Sequence, residues 1–188
     1  MNPIFKFFFE LFGWKVVGKV APDVKKAIFA VCPHWYNTDF FIGLGTRAVM
    51  KREIGYLGKA ELFKPPFGFI FRSLDGIPVI RYKNLNLVES MVEAVKAADD
   101  KLIALAPEGT RKNVSKLKSG FYYIALGADI PIIMVGFDRE NKRTIIAEPF
   151  KASGNFEADM QTYFVPFFEK IGGKQKDWIQ NYKDGKFN

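Results

Sequence analysis

The sequence predicts one α/β domain built on a mainly parallel sheet flanked by helices. Three observations carry that reading. Residues 101–106 and 131–137 are short, apolar runs without polar alternation, the pattern of strands buried on both faces. Segments of helical periodicity alternate with such runs, as parallel crossovers require. The 188 residues show no internal repeat and no boundary, and a chain of that length buries one full core.

The elements follow in order. Near the start, Ile4, Phe5, Phe8, Phe9, Leu11 and Phe12 recur at helical spacing, with Trp14 and Lys15 behind them. A short aromatic helix of this kind suits the membrane interface, where Trp and Lys favour headgroup level. The alternative is a helix packed on the domain's own core. Residues 1–20 are therefore read as a membrane-interface segment and 21–188 as the main domain. A polar link at 22–26 leads into a strand at 27–32 that stops at Pro33. Asn37 or Thr38 is placed to cap a helix beginning near Asp39 and running over 40–50. Residues 54–58 read as a short strand, and the apolar stretch 61–72 is broken as a helix by Pro65-Pro66. A strand at 76–81 ends in Arg81. The next helix, 85–98, sets Leu87, Val88, Met91, Val92 and Val95 on one face. After the strand 101–106 come a helix over 121–126 ending at Gly127, the strand 131–137 and an edge strand over 144–150. A last amphipathic helix spans 156–171, and the lysine-rich end reads as frayed.

Composition narrows the function. A net charge of +8 points to an anionic partner: nucleic acid, an acidic lipid surface or a phosphorylated substrate. Scattered lysines and the lack of an RNA-recognition signature argue against nucleic acid. Hydrophobic content is 48% with twenty Phe, yet no apolar run reaches the ~20 residues of a membrane span. Cys32 is the sole cysteine, which excludes an internal disulfide and a cysteine-based zinc site and suggests a reducing compartment. The N-terminus lacks the cleavage site of a secretory signal. One histidine with scattered acids makes no metal-ligand set, so no metal is expected.

Chemistry concentrates in two stretches. His34 is the only histidine, and Asp39 follows it. Histidine transfers protons near neutral pH, and a carboxylate on one ring nitrogen fixes the tautomer and frees the other as a base. On a continuous helix five steps leave two side chains about 140° apart, so only a turn brings this pair together. Glu108-Gly109-Thr110-Arg111 likewise follows a buried strand. Gly109 admits a tight turn and close approach to a ligand, Thr110 offers a hydroxyl, and the fork of Arg111 matches a phosphate. Glu108 orients Arg111 or a backbone amide, or contacts an acceptor's hydroxyls. Arg81, at another strand end, is a candidate second phosphate ligand. Cys32 is read as a buried strand cysteine rather than a rival nucleophile.

These residues closely resemble the glycerolipid acyltransferase family, best known for the 1-acylglycerol-3-phosphate (lysophosphatidate) acyltransferases. The family's His-x-x-x-x-Asp block is matched by His34 and Asp39, and its Pro-Glu-Gly-Thr-Arg block by Pro107 to Arg111. Its strand ending in arginine is matched loosely at 76–81, where Ile80 stands in place of the usual acidic residue. Its proline-led hydrophobic strand is matched at 131–135. Trp35, Tyr36, Asn37 and Thr38 are bulkier than the family's common choices. The resemblance implies that His34 deprotonates an acceptor hydroxyl while Asp39 balances the imidazole. The oxygen then attacks the thioester of acyl-CoA or acyl-carrier protein, a co-substrate rather than a cofactor, with no acyl-enzyme. It implies a lyso-lipid acceptor and phosphatidic acid as product. The basic charge and the aromatic N-terminal segment add the expectation of an anionic membrane surface, with the protein peripheral or monotopic at its cytoplasmic face. The aromatic stretch 61–72 is then either core or the wall of an acyl-chain groove. Two other readings remain: an acyltransferase for a lyso-aminolipid, and a non-catalytic lipid-surface binding protein.

Overall fold

The computed structural model describes residues 3–79 and 87–187. The chain begins with helix α1 (Pro3–Leu11), strand β1 (Lys15–Val17), β2 (Lys26–Cys32) and α2 (Asp39–Met50). β3 (Gly55–Lys59), a 3-10 turn (Ala60–Phe63), α3 (Gly68–Ser73), β4 (Gly76–Val79) and α4 (Leu87–Ala97) follow. Next come β5 (Lys101–Leu105), α5 (Gly120–Ala128), β6 (Ile132–Asp138) and β7 (Arg143–Ile146). The chain closes with α6 (Phe156–Asp159), a π turn (Met160–Phe164), α7 (Val165–Phe168) and α8 (Asp177–Lys183). The strands form one seven-stranded sheet in the order β1-β7-β6-β2-β5-β3-β4. Among the described strands only the β6–β7 pairing is antiparallel. The single α/β domain with a mainly parallel sheet and flanking helices is thus the fold that forms.

β2 lies at the centre, paired to β5 on one side and β6 on the other. Successive side chains of a strand point to opposite faces, and here both faces are covered. Ala27 and Phe29 pack with Phe9 of α1 and Ile42 of α2. Ile28, Ala30 and Cys32 pack with α4, α5 and the C-terminal helices through Val95, Phe121, Phe164, Phe168 and Trp178. Double burial is why this strand shows no polar alternation.

Four sequence expectations are corrected. The strand expected at 144–150 is shorter and is not an edge, because β1 pairs outside it, Lys15 opposite Arg143 and Val17 opposite Ile145. β1 itself, three residues with two exposed, is too short to show a period, and it places residues 15–17 of the N-terminal segment in the sheet. The helix expected over 156–171 is interrupted by the π turn just before Pro166. The end of the chain is not frayed: α8 buries Trp178, Ile179 and Tyr182.

α1 serves two environments. Phe9 is buried against Gly45 of α2, where any Cβ would lie 2.5 Å from the Phe9 ring. Ile4, Phe7, Phe8, Leu11 and Phe12 remain 47–63% exposed. Those five sit at i, i+3, i+4, i+7 and i+8, one continuous outward apolar stripe.

Candidate active site

In open α/β sheets ligands bind beyond the carboxyl ends of the strands, where the chain's connections diverge to either side. Here His34 leaves the end of central β2, Glu108 that of β5 and Arg139 that of β6. A cleft of about 670 Å³ bordered by Lys25, Arg52, Asp75 and Asp100 lies at the opposite end, where β2 to β5 begin. It holds both signs of charge but no histidine.

The turn from β2 into α2 brings the sequence pair together, with His34 Nδ1 2.9 Å from Asp39 Oδ2. The same Oδ2 accepts the backbone N–H groups of Trp35 at 3.0 Å and Tyr36 at 2.8 Å, closing the turn upon itself. Oδ1 takes a charge-assisted bond from Arg139 Nη2, which also donates to Thr38 Oγ1 at 2.9 Å. Thr38 occupies the N-cap position without capping through its side chain. The Arg139 guanidinium also lies 4.3 Å from the Tyr36 ring centroid. Burial by itself would raise the Asp39 carboxyl; bonds from His34, the Tyr36 amide and Arg139 outweigh it and hold the carboxyl below its ordinary range. An ionised carboxylate only accepts, so Nδ1 carries the proton of this contact, and in the neutral imidazole Nε2 is the acceptor. The imidazole retains 20% of its surface, against 1% for the Asp39 side chain.

Glu108 lies beneath this turn, its side chain fully buried. Of the roles open to it, the geometry matches the one toward a backbone amide: Oε2 accepts the His34 N–H at 2.9 Å. Oε2 also pairs with Lys176 Nζ, and Oε1 accepts Trp178 Nε1 at 3.1 Å. Burial pushes this carboxyl up, while the Lys176, His34 and Trp178 donors restrain the rise. Gly109 adopts φ +64°, a left-handed turn that glycine enters without penalty, and a Cβ there would approach the Lys118 stem to 2.9 Å. The Thr110 hydroxyl accepts the Lys112 N–H at 3.2 Å. Arg111 is exposed and has no ion pair among the described residues. Arg81 lies outside the described residues. Cys32 is fully buried, and burial followed by the Glu108 charge pushes its thiol well above the usual range.

Sequence reasoning missed Arg139, Lys176 and Trp178. Arg139 carried a usable signal, since it follows a buried strand as His34 and Glu108 do. Lys176 and Trp178 stand in the lysine-rich tail, where nothing local distinguishes a buried lysine from a solvated one.

Comparison with known proteins bears on the family and the fold. The family model "Acyltransferase" matches residues 14–138. The fold is similar to the crystal structure of the 1-acyl-sn-glycerophosphate (LPA) acyltransferase, PlsC, from Thermotoga maritima. The two share 21% identity over 89% of this chain and 75% of that one, with a TM-score of 0.64. No curated protein matches the sequence.

Proposed function

Because this chain belongs to the acyltransferase family, we propose that it moves a fatty acyl group from acyl-CoA or acyl-carrier protein to the free hydroxyl of 1-acylglycerol-3-phosphate, giving phosphatidic acid. The observation that carries this reading is the 2.9 Å contact between His34 Nδ1 and a buried, ionised Asp39. His34 Nε2 accepts the hydroxyl proton as the oxygen attacks the thioester carbonyl. The thiolate leaves, the ester forms, and the imidazolium returns its proton to the thiolate. Asp39 stabilises the imidazolium during the transfer. General-base help of this kind contributes about a hundred- to ten-thousand-fold. Cys32, buried behind the site, takes no part.

Arg111 is assigned to the acceptor phosphate, supported by its exposure and its lack of a carboxylate partner among the described residues; Arg81 is assigned as a second phosphate ligand. Gly109 and Thr110 shape the approach of the acceptor, and Glu108 acts from below by holding the His34 amide. The protein works from the cytoplasmic face of an anionic membrane as a peripheral or monotopic enzyme. The outward stripe of α1 and the +8 charge support that placement. Among the described residues no helix is long and apolar enough to cross a membrane.

The test is release of free thiol from acyl-CoA across a panel of lyso-lipid acceptors, with wild type and His34→Ala. Acceptor-dependent release by wild type alone, strongest with lysophosphatidate, is the expected result. Preference for a lyso-aminolipid would change the acceptor. Equal release by folded His34→Ala, or none with any acceptor, would overturn the reading.

A further inference from the structure

We propose that Lys176, in the C-terminal segment beyond the family match, is a positioning residue for this transfer. Its ammonium ties the His34 turn to the Glu108–Arg111 turn. The proposal rests on the acyl-transfer reading above and adds a residue that reading does not require.

Lysine is almost never fully buried unless paired, yet the Lys176 side chain has no exposed surface. Its ammonium has three N–H donors, and all three are engaged. One pairs with Glu108 Oε2, one donates to the His34 carbonyl at 2.9 Å and one to the Thr110 carbonyl at 3.1 Å. The charge also lies 4.7 Å from the centroid of the Trp35 ring. Every partner belongs to one of the two strand-end turns.

The consequence for His34 is specific. Its amide is held by Glu108, its carbonyl by Lys176 and its imidazole by Asp39. The base is therefore fixed on both sides of its backbone as well as at the ring. Thr110, whose carbonyl shares the same ammonium, directly precedes Arg111, so Lys176 sets the spacing between base and proposed phosphate reader. α8 anchors the lysine from the other side: Trp178 N–H donates to the Val114 carbonyl at 3.0 Å, and the Leu117 N–H donates to Tyr182 Oη at 2.8 Å. A simple need for stability would not select this arrangement, since a buried ion pair is often no better than apolar residues of the same volume. Placement is where it matters, because a shift of about 1 Å in reacting groups costs on the order of a hundredfold in rate.

Lys176→Met alone would strand a buried carboxylate and Glu108→Gln alone a buried ammonium, so the informative variant is Glu108→Gln/Lys176→Met. It removes both carbonyl bonds, leaves no unpaired charge and keeps an amide oxygen at position 108 to accept the His34 N–H. We expect it to stay folded, with kcat about 10- to 100-fold below wild type and KM for acyl-CoA within about threefold. A folded double variant with kcat within threefold of wild type overturns the proposal. Should the double variant not fold, acetylation of native wild type with acetic anhydride takes its place. Slow modification of Lys176 beside fast modification of Lys174, with kcat unchanged until Lys176 reacts, supports the proposal; equal rates at the two lysines overturn it. Activity persisting in His34→Ala sinks the parent reading, whereas an inactive His34→Ala with an unimpaired double variant sinks only the role of Lys176.

Discussion

In the proposed reaction His34 and Arg111 divide the chemistry between a base and a charge reader, and each makes a separate prediction. No second histidine exists to replace the base, so His34→Ala is expected to lower kcat by at least about a hundredfold while the protein stays folded. Asp39→Asn should cost less, because the imidazole remains and only its tautomer control and charge balance are lost. Thiol-release kinetics and circular dichroism on both variants check this order; a larger loss in Asp39→Asn would reverse the assignment. Arg111 offers phosphate parallel, charge-assisted bonds, and the net loss of one such bond is worth roughly 1.5–3 kcal/mol. Arg111→Ala should therefore reduce kcat/KM for lysophosphatidate by about ten- to a hundredfold or more, and Arg111→Lys should restore only part. With monoacylglycerol, which carries no phosphate, wild type and Arg111→Ala should match. Equal losses on the two acceptors would place Arg111 elsewhere in the reaction.

At the scale of elements, α1 separates packing from proposed membrane contact within one helix. Phe9→Ala opens a hole where the ring meets Gly45, and removal of a buried Phe costs about 3–5 kcal/mol. Phe7, Phe8 and Phe12 face outward, so replacing them with Ser removes little from the folded state. The triple variant is expected to keep its Tm within about 2 °C and to lose at least tenfold in partition to anionic vesicles. Co-sedimentation with phosphatidylglycerol-containing vesicles measures it. Unchanged partition would leave the stripe without a membrane role, and a large fall in Tm would show that it covers core.

Across the whole molecule, two buried carboxylates held low link folding to pH in one sense, and Glu108, pushed up by burial, acts in the other. Asp39 is held below its ordinary pKa by His34, Tyr36 and Arg139 against the opposing effect of burial. Asp138, at the end of β6, is held down by Arg143 and Asn141, again against burial. A carboxyl depressed in the folded state adds stability that is complete above its unfolded pKa, about 3.9, and is lost as pH falls through the folded value. Denaturant titrations should show wild-type stability falling below about pH 4. The stability gap between wild type and Asp39→Asn should narrow over the same window. A gap that is constant, or that widens as the solution is acidified, would show that Asp39 is not depressed.

Much of the site was legible in order along the chain, and the reason is local. A buried strand must end, and at its end the backbone turns and exposes polar side chains, so Pro33-His34 and Pro107-Glu108 announced themselves by what precedes them. The turn needed to unite His34 with Asp39 follows from spacing alone, and the parallel sheet follows from runs that never alternate. The remainder depends on which segments become neighbours. Nothing near Lys176 in sequence distinguishes it from the exposed lysines around it; it is buried because α8 folds over the loop after Arg111 and delivers it between two strand ends. β1 gains its place only from pairing with β7, and Arg139 becomes the partner of Asp39 only because β6 lies beside β2. The sequence by itself determined six of the seven strands and the pairing of His34 with Asp39. Tertiary structure decided what surrounds them, because burial and long-range pairing are properties of the assembled sheet and not of any window along the chain.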